Sequence, residues 1–116
     1  MESDNSEEFG CDMRGMLSFQ VMWLLSNSPM HGEEIAEEIE KRRGNKPKAG
    51  TIYPALKELK NKNLITGEKK GKTVVYTLTP EGKKDIKRAT VYFCHSFGDI
   101  FESVEYHIEM TEERQE

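Results

Sequence analysis

Pro47-Lys48-Ala49-Gly50-Thr51-Ile52-Tyr53-Pro54-Ala55-Leu56-Lys57-Glu58-Leu59-Lys60 is the stretch whose reading decides the fold. Ile52, Ala55, Leu56 and Leu59 recur at i, i+3, i+4 and i+7, which lines up one apolar stripe on the 3.6-residue period of a helix. Tyr53, Pro54, Lys57 and Asn61 then face the other way. Proline is tolerated in the first helical turn, where its missing N–H lacks an intrahelical partner anyway. The helix is therefore expected to begin near Gly50, with Thr51 and Tyr53 at its leading tip and Lys46 and Lys48 just before it. A tip with this chemistry suits a duplex, because the leading residues of a recognition helix reach base edges while flanking lysines meet phosphates.

The flanking segments extend this reading. Residues 14–27 form a strongly apolar first helix, ended by Ser26-Asn27-Ser28-Pro29, since Pro29 cannot extend a helix and biases Ser28 toward extended backbone. Gly32 opens a second helix with Ile35, Ala36 and Ile39 inward and a row of glutamates outward. Gly44-Asn45-Lys46-Pro47 breaks the chain before the recognition helix. Residues 64–78 read as a hairpin, with Gly71 in its turn and Val74, Tyr76 and Leu78 alternating along one face. The predicted fold class is mainly α with a small β-hairpin: a winged helix-turn-helix plus a long C-terminal dimerisation helix.

Three motifs carry a family likeness: Ser28-Pro29-Met30-His31-Gly32, Gly50-Thr51-Ile52-Tyr53-Pro54-Ala55-Leu56 and Tyr76-Thr77-Leu78-Thr79-Pro80-Glu81-Gly82. By them the chain resembles the PadR family of transcriptional regulators from about Met16 to Gly82. The resemblance implies a homodimeric repressor whose third helix reads the operator and whose C-terminal helix makes the dimer. Two positions depart from the family pattern. Glu33 follows His31-Gly32, where the family is often aromatic, and Ala49 precedes Gly50, where the family tends to proline.

The formal net charge of -4 over 116 residues looks wrong for a DNA-binding chain until it is divided along the sequence. Residues 1–13 carry five acids and no base, and residues 99–116 carry seven acids against Arg114. Residues 44–78 carry eight lysines against Glu58 and Glu68, a net of +6. Phosphate attraction depends on the field within a Debye length of about 8–10 Å, so the local charge decides. The expected DNA-binding residues are Lys46, Lys48, Thr51, Tyr53, Lys57, Lys69, Lys70 and Lys72. His31 either touches a phosphate or only caps the turn.

Thr79 and Pro80 open the last helix as N-cap and first helical residue, although Gly82 stands where a capping box wants Glu or Gln. Beyond them Ile86, Phe93, Phe97, Ile100, Val104 and Ile108 form a heptad-like seam with Phe101 beside it. The first helix is apolar nearly all round, so it is expected to be covered on more than one side. Trp23, Phe93, Phe97, Ile100, Phe101, Val104 and Ile108 are the expected dimerisation residues. Tyr92, Phe93, Phe97, Phe101 and Tyr106 could instead line a ligand pocket at the dimer centre, but an aromatic stripe at helical spacing more often packs. Among Cys94, His95, Asp99, Glu105 and His107 only His95 and Asp99 make a well-spaced i, i+4 pair, and no Cys/His cluster has finger spacing, so no metal is expected.

The expected organisation is a disordered acidic tail over 1–12, a winged helix-turn-helix DNA-binding domain over 13–79, a dimerisation helix over 80–110 and a disordered tail over 111–116. Cys11 and Cys94 suggest no disulfide framework, and no secretory signal or membrane span is legible, which makes the cytoplasm the expected compartment. No catalytic motif is visible. The expected partners are double-stranded DNA and a second copy of the chain. No cofactor is expected, and a small-molecule effector at the dimer seam is compatible with this reading. The alternative is a winged-helix module whose third helix binds an acidic protein. Lysines on both the helix approach and the wing favour the duplex, since a protein partner more often demands exposed apolar anchors.

Overall fold

The computed structural model describes residues 16–115, with side-chain surroundings as far as residue 104. The acidic tail at 1–12, Cys11 and the side chains of Glu105, Tyr106, His107 and Ile108 lie outside those residues. The elements are α1 (Leu17–Asn27), β1 (Met30–His31), α2 (Gly32–Arg43), α3 (Ala49–Asn61), β2 (Ile65–Lys70), β3 (Thr73–Leu78) and α4 (Pro80–Gln115). This is the predicted winged helix-turn-helix with a long final helix.

The core follows from the sequence periodicities. Val21, Met22, Leu24 and Leu25 of α1 meet Ile35, Ala36 and Ile39 of α2 and Ile52, Leu56 and Leu59 of α3. Leu64, Ile65 and Leu78 close it from the hairpin, and Ile86 and Ala89 from α4. The helix α1 is thus covered on several sides by its own domain, and Trp23, 38% exposed, marks the side left open.

The first three helices each end on identifiable chemistry. Ser26 Oγ and Asn27 Nδ2 both donate to the Trp23 carbonyl, at 2.5 and 3.2 Å, competing with further helix before Pro29. The helix α2 ends at Gly44, whose φ of 89° and N–H bond to the Glu40 carbonyl make a left-handed cap. Asn63 (φ 65°) ends α3: its N–H bonds the Lys60 carbonyl while that of Leu64 bonds the Leu59 carbonyl, a Schellman pair.

Three local features differ from the sequence reading. The helix α3 starts at Ala49 with Lys48 as N-cap, so Pro54 falls in the second turn rather than the first. The missing Pro54 N–H therefore leaves the Gly50 carbonyl without its i+4 donor, at an exposed helix tip where water can serve it. The first turn is tightened, with the Lys48 carbonyl accepting from both Thr51 N and Ile52 N at 2.8 and 3.0 Å. Met30 and His31 form a third strand beside the hairpin, giving the order β1-β3-β2 with Met30 opposite Tyr76 and His31 opposite Val75. Finally, α4 runs on to Gln115, through residues read from sequence as a tail. Glu112, Glu113 and Arg114 are good helix formers, and no breaker stands before them.

The junction into α4 also explains the incomplete capping box. Thr79 Oγ1 accepts from the Gly82 N–H at 2.9 Å and donates to the Asn63 carbonyl at 2.7 Å. A Cβ on Gly82 would lie 2.0 Å from the Leu64 carbonyl oxygen, so no Glu or Gln fits there.

Candidate nucleic-acid interface

Burial of Ile52, Leu56 and Leu59 turns the opposite face of α3 outward, where Thr51, Tyr53, Lys57 and Asn61 are exposed. Tyr53 is half-exposed at 48%, but it is not a free ring. It lies over Gly32, where an added Cβ would meet Tyr53 Oη at 2.5 Å, so only glycine admits the ring at this position. Tyr53 separates two notches. One, of about 360 Å³, is shared with Glu33, Lys46, Lys48 and Ile52. The other, of about 320 Å³, is shared with His31, Lys72, Val74 and Tyr76. The approach to α3, its tip, the start of α2 and the wing tip therefore converge on one surface centred on Tyr53.

The turn of the wing brings Lys72 there. Gly71 (φ 65°) supplies the positive φ that a two-residue hairpin of the II′ kind needs at its first central position. The pairs Ile65 with Leu78, Gly67 with Tyr76 and Lys69 with Val74 alternate onto one face of the ribbon. Gly67 leaves room for Val74 and Tyr76, whose side chains approach within 2.9 and 3.2 Å of where its Cβ would be. Burial, with Tyr53 nearby, pushes the Tyr76 phenol above its ordinary pKa, so it is a neutral hydrogen-bonding group at any physiological pH. Lys69 shares this face, while Lys70 is on the other side of the ribbon, 4.0 Å from Glu68.

His31 caps α2. Its Nδ1 accepts from the Glu34 N–H at 3.3 Å, and its own N–H donates to Glu34 Oε1 at 3.0 Å. This is a reciprocal capping box built with histidine in place of serine or threonine. Lys46 also has a partner that sequence reading missed, since its Nζ pairs with the Glu33 carboxylate. They are 13 positions apart, and no local pattern announces the pair.

A second surface lies along α4. Ile86 and Ala89 are buried and Phe93 is partly covered, its ring centroid 5.3 Å from that of Phe19 on α1. Phe97 and Phe101 follow at 5.1 and 5.6 Å from Phe93. Beyond Phe93 the helix overhangs the domain. Phe97, Ile100, Phe101 and Val104, at i, i+3, i+4 and i+7, are 38–56% exposed on one stripe. Trp23 is stacked under the Arg42 guanidinium at 5.5 Å from the ring centroid. Cys94 is a free, exposed thiol.

Residues 21–88 match the family model described as the transcriptional regulator PadR-like family. An uncharacterized 37.1 kDa protein in transposon TN4556 of Streptomyces fradiae is 33% identical over 84 residues, 72% of this chain. The chain spans only 24% of that relative's length. A PadR family transcription regulator from hypervirulent Clostridium difficile is similar in structure, with TM-score 0.65 and 25% identity over 78% of this chain and 99% of that one. Bacillus subtilis PadR, crystallised in complex with operator DNA, superposes with TM-score 0.59 and 28% identity over 68% of this chain and 47% of that one.

Proposed function

Because the chain belongs to the PadR-like family of transcriptional regulators, we propose that it is a sequence-specific DNA-binding regulator, acting as a homodimeric cytoplasmic repressor that occludes a promoter at a pseudo-palindromic operator. The observation that carries this is the convergence of Lys46, Lys48, Tyr53, His31 and Lys72 on two adjoining notches at the tip of α3. In this reading Thr51 and Tyr53 meet base edges, and Lys48, Lys57, Lys69, Lys70 and Lys72 grip phosphates on either side. That a structural relative was crystallised in complex with operator DNA supports a DNA-binding role. The exposed stripe of α4, together with Trp23, is the surface for the second copy. No described helix is long and apolar enough to cross a membrane.

If these lysines meet phosphates, log affinity falls linearly with log salt at a slope of about -0.9 per contact. Fluorescence anisotropy of a labelled duplex across a salt series measures it. A flat dependence would defeat the phosphate assignment and favour an acidic protein partner.

Reading and gripping separate by mutation. Thr51→Ala or Tyr53→Ala should weaken a selected operator by about 1–3 kcal/mol more than random DNA, because groups at the tip discriminate bases. Lys72→Ala should weaken both about equally. Equal losses on both duplexes for Tyr53→Ala would restrict its ring to the backbone and to its packing on Gly32.

A further inference from the structure

The DNA-binding face carries a carboxylate at its centre. Glu33 is in the first turn of α2 and lines the notch that Lys48, Ile52 and Tyr53 line on the α3 side. Its carboxylate is bonded to Lys46 Nζ, and both side chains are open to solvent, at 57% and 39%. That bond is the largest cause holding the Lys46 ammonium above the usual lysine pKa, with Glu37 and Glu40 adding to the same negative field. The sign is informative. A lysine stabilised as ammonium by its own protein has a charge already matched before any duplex arrives.

We propose that Glu33 is an internal competitor for the DNA backbone: it holds Lys46 in the free protein and lowers affinity for every duplex alike. This rests on the DNA-binding reading above. For Lys46 to reach a phosphate, its bond to Glu33 must be exchanged for one to DNA, and the displaced carboxylate stays within a Debye length of the phosphate it now repels. The exchange nearly cancels the gain of one contact. It also lowers net counterion release, because the freed carboxylate recruits a cation as the phosphate loses one. Thr51 and Tyr53 are not engaged by the pair, so discrimination between sequences is unaltered. What changes is the sequence-independent grip, and with it the residence time on random DNA.

The test uses the full chain, a labelled random duplex and anisotropy titrations at several salt concentrations. Glu33→Gln removes the charge at an exposed position while keeping the shape, so the fold is retained. It should tighten binding about two- to fivefold per protomer, the scale of one exposed ion pair, and hence about four- to twenty-fivefold for a dimer. Its salt slope should steepen by about 0.9 per protomer engaged. Lys46→Ala added to Glu33→Gln should remove that gain, a coupling a double-mutant cycle reads directly. Glu102→Gln makes the same change in net charge on α4 and should shift affinity less than twofold. Equal effects of Glu33→Gln and Glu102→Gln would overturn the proposal, leaving net charge as the cause. So would a fall in Tm with no gain in affinity, which is what a purely helix-dipole role for Glu33 predicts. If the wild-type chain binds no duplex and Lys72→Ala changes nothing, the DNA-binding reading itself fails and this inference with it. Salt-sensitive binding that Lys72→Ala weakens but Glu33→Gln does not tighten would remove the Glu33 assignment alone.

Discussion

Gly82→Ala should lower the melting temperature by roughly 10–25 °C, the reverse of the gain that alanine in place of glycine normally brings within a helix. Intrinsic propensity favours alanine by about 1 kcal/mol. Against this stands a Cβ that would be 2.0 Å from the Leu64 carbonyl oxygen, a backbone atom that cannot swing aside. The first turn of α4 must move, and with it Thr79, whose N–H donates to the same Leu64 carbonyl at 3.0 Å. The Thr79 hydroxyl would lose its bonds to Gly82 N–H and to the Asn63 carbonyl together. Loss of a cap costs about 1–2 kcal/mol and forced repacking about 1–3 kcal/mol, which together exceed the propensity gain. Thermal unfolding by circular dichroism at one fixed protein concentration measures the change. Gly50→Ala is the internal comparison. Nothing is within 4 Å of its Cβ position, so it should be neutral or stabilising by up to about 1 kcal/mol. Equal behaviour of the two variants would remove the steric account of Gly82.

The reach of sequence reasoning in this chain follows the range of the interactions. The stripe of Ile52, Leu56 and Leu59 is a local periodicity, so both the helix and its outward residues were readable in advance, and all three are buried. The hairpin was readable because Gly71 and the alternation into Leu78 are local signals too. The strand at Met30–His31 was not, because two residues carry no period and owe their conformation to Tyr76 and Val75 across the sheet. His31 was ambiguous because histidine is an unusual N-cap, and only the geometry shows its Nδ1 accepting from Glu34. The Glu33–Lys46 pair and the seat of Tyr53 over Gly32 are contacts between elements and leave no mark along the chain. In the long helix the sequence shows one continuous apolar seam. It does not show that Ile86 belongs to the domain core while Phe97 overhangs it, since both present the same apolar face.

That division sharpens what Phe97→Asp should do. Ile86, Ala89 and much of Phe93 are covered within the protomer, whereas Phe97 is 38% exposed and outside the core cluster. An aspartate at 97 therefore leaves the winged domain folded, and its circular dichroism should remain helical. In the proposed dimer the same position is buried against the second copy. There the substitution forfeits the remaining apolar burial, about 2 kcal/mol, and places an unpaired carboxylate in a desolvated seam at a further cost of about 3 kcal/mol or more. Two-fold symmetry makes each term act twice, which weakens self-association by more than about ten-thousandfold. Sedimentation should then show monomers at concentrations where the wild-type chain is dimeric. Operator binding should fall with it, because one recognition helix buries too little surface for tight binding and a pair must present its tips about 34 Å apart. His95→Asp adds the same charge on the opposite face of α4, where the side chain is exposed, and should leave assembly and DNA binding unaltered. A Phe97→Asp chain that stayed dimeric with its operator affinity intact would show that the overhanging half of α4 is not what joins the two copies. The exposed row of Phe97, Ile100, Phe101 and Val104 would then need another occupant.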